Sequence, residues 1–159
     1  MRTIQVLNAS RAFVVNTTSL SRLFKLLDKW PQEKIPQGEL SIALLDDAEI
    51  CRLHANFLND PSPTDVITFP ADPNDNSPGW TLAGEICVSL PQAQREAPKH
   101  GKTTGSELLL YLIHGWLHLA GHDDLEETAR VRMRAAEKAA LNFLAQHNMQ
   151  TITLKAHRA

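Results

Sequence analysis

Three histidines and two aspartates fall within the eleven residues HGWLHLAGHDD, positions 114–124. Each of these side chains can donate a lone pair to a cation. Four residues advance a helix by about 400°, so His114 and His118 would lie about 40° apart on one face, where two imidazoles can reach one ion. Gly121 then permits a left-handed turn that folds the chain back toward that ion. Beyond the turn, His122, Asp123 or Asp124 can close the site. Three protein ligands and one open position describe a catalytic zinc site, whereas four closed ligands describe a structural one. Position 115 carries a second message. Zinc peptidases of the H-E-x-x-H kind place their general base there, and this chain has Gly115. Ordinary peptidase chemistry of that kind lacks its base.

Such residues need a scaffold. SELLLYLIHGWLHLAG (106–121) is strongly apolar, too long for a strand, and reads as a central buried helix stopped at Gly121. Residues 125–148 read as an amphipathic helix with Leu125, Val131, Ala135, Ala139, Phe143 or their close neighbours facing inward. Upstream, 3–10, 39–45, 65–69 and 85–90 have strand character, and 19–30, 46–58 and 91–101 read as helices. Leu20, Leu23, Phe24 and Leu27 form the apolar stripe of the first helix, with Asn16, Thr17 and Thr18 as capping residues. Segments 31–38 and 70–84 are rich in Pro, Gly, Asn and Asp and read as loops. This order predicts an α+β domain with a small mixed β-sheet packed on the central helix.

Composition narrows the setting. A chain of 159 residues suits one domain, and 43% hydrophobic with 21% charged residues is ordinary globular composition. The net charge of −2 gives no global attraction to nucleic acid or anionic membrane, so a nucleic-acid partner would need a local basic patch or a metal. No apolar run approaches the roughly 20 residues of a membrane span. Cys51 and Cys87 are too far apart for a metal pair; with no signal peptide they read as reduced thiols of a cytoplasmic protein.

The central stretch resembles the YbeY family signature H-G-x-L-H-L-x-G-Y-D-H at His114, Gly115, Leu117, His118, Leu119, Gly121 and Asp123. PTDVITFP (63–70) and GEICVS (84–89) resemble two further family segments, so the similarity covers nearly the whole chain, 1–159. It implies a zincin-like metallohydrolase fold. It also implies a zinc-dependent endoribonuclease of single-stranded RNA, acting in 16S rRNA 3′-end maturation and ribosome quality control. The family's third histidine is Asp124 here and its tyrosine is His122, so the register makes Asp124 the third ligand, with His122 as competitor. A carboxylate in place of an imidazole makes Mn²⁺ or another hard divalent ion more competitive with Zn²⁺. The arginine that the family often carries after the aromatic of an L-N-x-x-Y-R segment is Leu58 here, following Phe57.

Under that resemblance other residues acquire roles. His122 could relay a proton, and Asp65 beside Thr64 is a second candidate catalytic group. Asp123 would orient an imidazole or cap the next helix, and Glu85 opens a strand beside Gly84. Arg95, Lys99, His100 and Lys102 form one basic group; Arg130, Arg134 and Lys138 form a helical row, either paired with Glu126, Glu127 and Glu137 or contacting RNA phosphates. Trp30, Trp80 and Trp116 could stack bases, although Trp116 fits a core. Two rivals stand beside the nuclease: a metallohydrolase of another substrate class such as a peptidase, and a non-catalytic, metal-stabilised RNA-binding module at the ribosome.

Overall fold

The apolar run ELSIALL becomes β3 (Glu39–Leu45), an inner strand of a four-stranded sheet in the computed structural model, which describes residues 2–11, 13–58, 64–72 and 81–156. β1 (Ile4–Asn8) and β5 (Leu82–Ser89) flank it in parallel, Ile42 standing opposite Val6 and Ile86. β4 (Val66–Pro70) runs antiparallel to β5 and forms the edge, giving the order β1-β3-β5-β4. Leu40, Ile42 and Leu44 enter the main core, while Ala43 and Leu45 enter a second cluster with Ile50, Ile67 and Cys87. Both faces of β3 are therefore covered, which explains its nearly unbroken apolar sequence.

Helix α1 (Thr17–Lys29) buries Leu20, Leu23, Phe24 and Leu27, and Asn16 caps it by accepting from the Ser19 N–H at 3.0 Å. Helix α2 (Asp47–Leu58) contributes Ile50 to the second cluster. Ser89 caps α3 (Leu90–Glu96), which runs into a single 3-10 turn, Ala97–His100, ended by Gly101. Helix α4 (Thr104–Leu119) is the central one and touches β4, β5, α3 and α5 (Glu127–Gln146). It lies so close to the sheet at Gly115 that a Cβ there would stand 2.6 Å from Ile86 Cγ2 and 3.2 Å from the Cγ2 atoms of Thr68 and Val66.

Two features depart from the sequence expectation. The inner stripe of α5 is Met133, Ala140 and Leu144, with Ala136, Ala139 and Phe143 partly buried. Val131 and Ala135 each sit two residues from Met133, about 200° around the helix, and are exposed; Leu125 precedes the helix and is 81% exposed. In addition, β2 (Phe13–Val15) and β6 (Leu154–Ala156) form a separate antiparallel pair that the sequence did not announce.

Among the described residues no helix is long and apolar enough to cross a membrane. Cys51 and Cys87 are both free thiols; burial, with help from the charge of Glu85, pushes the Cys87 thiol up to about 12.

Candidate metal centre

Helix α4 ends in a Schellman turn. The His122 N–H donates to the Leu117 carbonyl at 3.0 Å and the Gly121 N–H to the His118 carbonyl at 3.1 Å, with Gly121 at φ 108°. The chain then reverses, and Asp123 Oδ1 accepts from the N–H groups of Asp124 and Leu125 at 2.6 and 3.0 Å. Arg130 donates to the Leu125 carbonyl at 2.9 Å, fixing the loop from the α5 side. Asp123 thus shapes the loop instead of capping α5.

This turn brings three side chains together. His114 Nε2 and His118 Nε2 are 3.1 Å apart, and Asp124 Oδ2 lies 3.2 Å from the first and 3.5 Å from the second. Ligands on adjacent vertices of a tetrahedron around an ion at about 2.0–2.1 Å stand about 3.3–3.4 Å apart, so the spacing fits a zinc-sized ion. The tautomers also fit. His118 Nδ1 is 3.0 Å from the His122 carbonyl, which can only accept, so the proton sits on Nδ1 and Nε2 presents its lone pair. His114 Nδ1 is 2.6 Å from Glu137 Oε1, with the same effect. Two bare nitrogens and a carboxylate oxygen at these distances repel one another unless a proton or a cation stands among them. With side chains 21%, 24% and 36% exposed, the trio keeps one side open to solvent.

Electrostatics agree. Burial alone lowers the pKa of His114, but the hydrogen bond and charge of Glu137, with Asp65 and Asp124 adding, raise it overall. These carboxylates favour a positive charge at the centre.

The remaining candidates fall elsewhere. The ring of His122 turns away, its Nε2 lying 2.6 Å from Glu33 Oε2, so only its backbone carbonyl serves the trio. Asp65 borders the centre: its Oδ1 accepts from the Val66 N–H at 2.8 Å, and it lines both clefts that meet beside His114. One cleft, about 520 Å³, carries Glu96, His100, Glu107 and Glu137; the other, about 510 Å³, carries His54, Phe57, Phe69, His118 and Asp124. Glu85 stands beside Cys87, on the sheet face away from α4. Trp30 and Trp116 are buried against each other with ring centroids 6.1 Å apart, so neither can meet a base. Trp80 and the side chain of Leu58 lie outside the described residues.

The basic groups are partly spent locally. Arg95 forms a two-point ion pair with Asp47 at 2.8 Å per contact, Lys99 pairs with Glu96 at 3.0 Å, and Arg130 holds the ligand loop. Glu137, assigned by sequence to a surface ion-pair row, instead orients His114. Its position gave a sign: it follows Met133 by four and precedes Ala140 by three, within the buried stripe.

Comparison with known proteins adds ancestry to this geometry. Residues 5–145 match the family model described as Endoribonuclease YbeY. The chain is 40% identical over 135 residues to the Endoribonuclease YbeY of Protochlamydia amoebophila, covering 84% of this chain and 89% of that protein. It is 38% identical over 123 residues to the protein of that name from Myxococcus xanthus, and 37% over 113 residues to that of Mycolicibacterium smegmatis. These matches cover 74% and 67% of this chain but only 42% and 64% of those longer proteins. The solution structure of TM1509 from Thermotoga maritima superposes with a TM-score of 0.61 at 27% identity, covering 92% of each chain. With the family model spanning both the sheet and the histidine-bearing helix, the chain belongs to the YbeY endoribonuclease family.

Proposed function

We propose that this protein is a zinc-dependent endoribonuclease of zincin-like fold that cuts single-stranded RNA, with the 3′ end of 16S rRNA on the ribosome as its substrate. The observation that carries the reading is the convergence of two tautomer-fixed imidazoles and one carboxylate at an open cleft. His114, His118 and Asp124 hold the ion, and a manganese ion fits the same mixed donor set. When bound, the ion supplies the acidity that makes water nucleophilic at neutral pH and the positive charge that a phosphodiester transition state needs.

The chain's own groups divide the remaining work. Glu137 and the His122 carbonyl hold the two imidazoles in their ligand tautomers. Asp65, oriented by the Val66 N–H, accepts a proton from the attacking water and returns it to the departing oxygen. His122 contributes through its backbone, and its ring steadies the turn by pairing with Glu33.

The peptidase alternative loses support at Gly115, because a side chain there enters the sheet instead of the cleft. The non-catalytic module is disfavoured by the open side of the trio. The test is cleavage of labelled single-stranded RNA by purified protein of measured metal content. His118→Ala is expected to lose both metal and cleavage, and chelated wild type to recover cleavage with Zn²⁺ or Mn²⁺. Full cleavage by metal-free His118→Ala would overturn the assignment.

A further inference from the structure

The RNA reading raises a physical difficulty. A phosphodiester strand is a polyanion, yet among the described residues no lysine or arginine lines either cleft beside the centre. One cleft is acidic instead, with Glu96, Glu107 and Glu137 on its walls. The cleft walls thus offer no cationic side chain to the phosphates, and the bases are the part of the strand that an uncharged wall can hold, on the side of the second cleft.

That second cleft contains an exposed aromatic surface. Phe57, in the last turn of α2, is 62% exposed. An exposed phenylalanine alone is unremarkable, but this one shares its cleft with His114, His118 and Asp124. Its ring is also held in place. It packs on Phe69 with centroids 5.1 Å apart and planes at 74°, and Phe69 is anchored on β4 against the second core cluster. His54, one turn earlier on α2, lines the same wall. The arrangement is a preorganised ring with solvent-facing surface beside a hydrolytic centre.

We propose that Phe57, braced by Phe69, is a stacking platform for one unpaired base of the strand being cut, a proposal that rests on the endoribonuclease reading above. Stacking tolerates any base, because every base has a π-face, but it requires the base to be free of a duplex. The platform therefore supplies both affinity without cationic side chains and a preference for single strands. Trp30 and Trp116 are buried, and Phe57 offers the exposed ring that those two do not.

The experiment uses metal-loaded wild type, Phe57→Ala, Phe57→Leu and Phe57→Trp with single-stranded RNA oligonucleotides in which one abasic nucleotide is walked along the sequence. Phe57→Leu keeps an apolar side chain, so a folding defect is separable from loss of stacking. Removing a stacked aromatic is expected to raise KM about ten-fold in Phe57→Ala and Phe57→Leu, and Phe57→Trp to restore it. Metal content and kcat should stay near wild type. One abasic position should impose a similar penalty on wild type and none on Phe57→Ala, because each removes half of the same contact. If a protein cuts no RNA, the intact oligonucleotides report binding directly by fluorescence anisotropy, with the same expectations for Kd. RNA cleavage with unchanged KM in Phe57→Ala, or penalties that simply add, overturns the platform and leaves the nuclease reading standing. Neither binding nor cleavage by wild type overturns both.

Discussion

His114 and His118 can serve as ligands because their Nδ1 atoms are already committed, one to Glu137 and one to a backbone carbonyl. Glu137→Gln is expected to weaken metal affinity about 10- to 100-fold, measured by competition with a chromophoric chelator. His122→Ala keeps the carbonyl and should retain stoichiometric metal in the same assay. At this scale the helical pair was legible because its spacing is local, i and i+4. Selecting Asp124 over His122 needed the family register, and the structure turns the His122 ring toward Glu33. The spacing of Glu137 from Met133 and Ala140 placed it on the inner side of α5, but its role was not legible because its partner His114 lies on another helix.

At the scale of elements, two glycines, one inside α4 and one just past its end, do different jobs. Gly115 lets the helix lie on β4 and β5, so Gly115→Ala forces Ile86 aside and is expected to cost about 1–3 kcal/mol of unfolding free energy. Nothing lies within 4 Å of a Cβ at Gly121, so Gly121→Ala acts through its left-handed backbone alone, at about 1–2 kcal/mol. Urea unfolding of the two variants checks both values; metal affinity should fall in the second, since the turn delivers Asp124. The helices and the four main strands were readable from periodicity. The β2–β6 pair was not, because three-residue strands carry little pattern and owe their existence to a partner far along the chain. Leu125, ahead of α5, and Val131 on it resemble core residues in type, but the stripe is set by Met133, Ala140 and Leu144.

Over the whole molecule, charge is arranged against loose ionic binding. The net charge is −2, and no lysine or arginine among the described residues lines the clefts. RNA binding at the centre should therefore show a shallow salt slope, about one released counterion or fewer, read from Kd across a salt series. A different ion pair ties α2 to α3. The Arg95 guanidinium, by its hydrogen bonds, holds the Asp47 carboxyl below its ordinary 3.8, despite a smaller opposing effect of burial. A carboxyl depressed in the folded state stabilises above its unfolded pKa, and that contribution disappears as pH falls through the lowered value. Arg95→Ala should thus cost at most about 1 kcal/mol near neutrality, the pair being well exposed. The gap from wild type should close in acid below 3.8, in paired urea titrations.

All the groups that make the centre, His114, His118, Asp124 and Glu137, come from one helical hairpin of α4 and α5. None comes from the sheet. On a ribosome synthesising this chain, β1 through β5 emerge first, and the hairpin follows as a segment of short sequence separation that folds quickly once complete. The ligand set is therefore complete only late in synthesis, after Asp124 has followed the two histidines out. A metal ion that loads the centre would close a small local loop, and a chain arrested before Asp124 would carry the strands and both histidines without the third ligand.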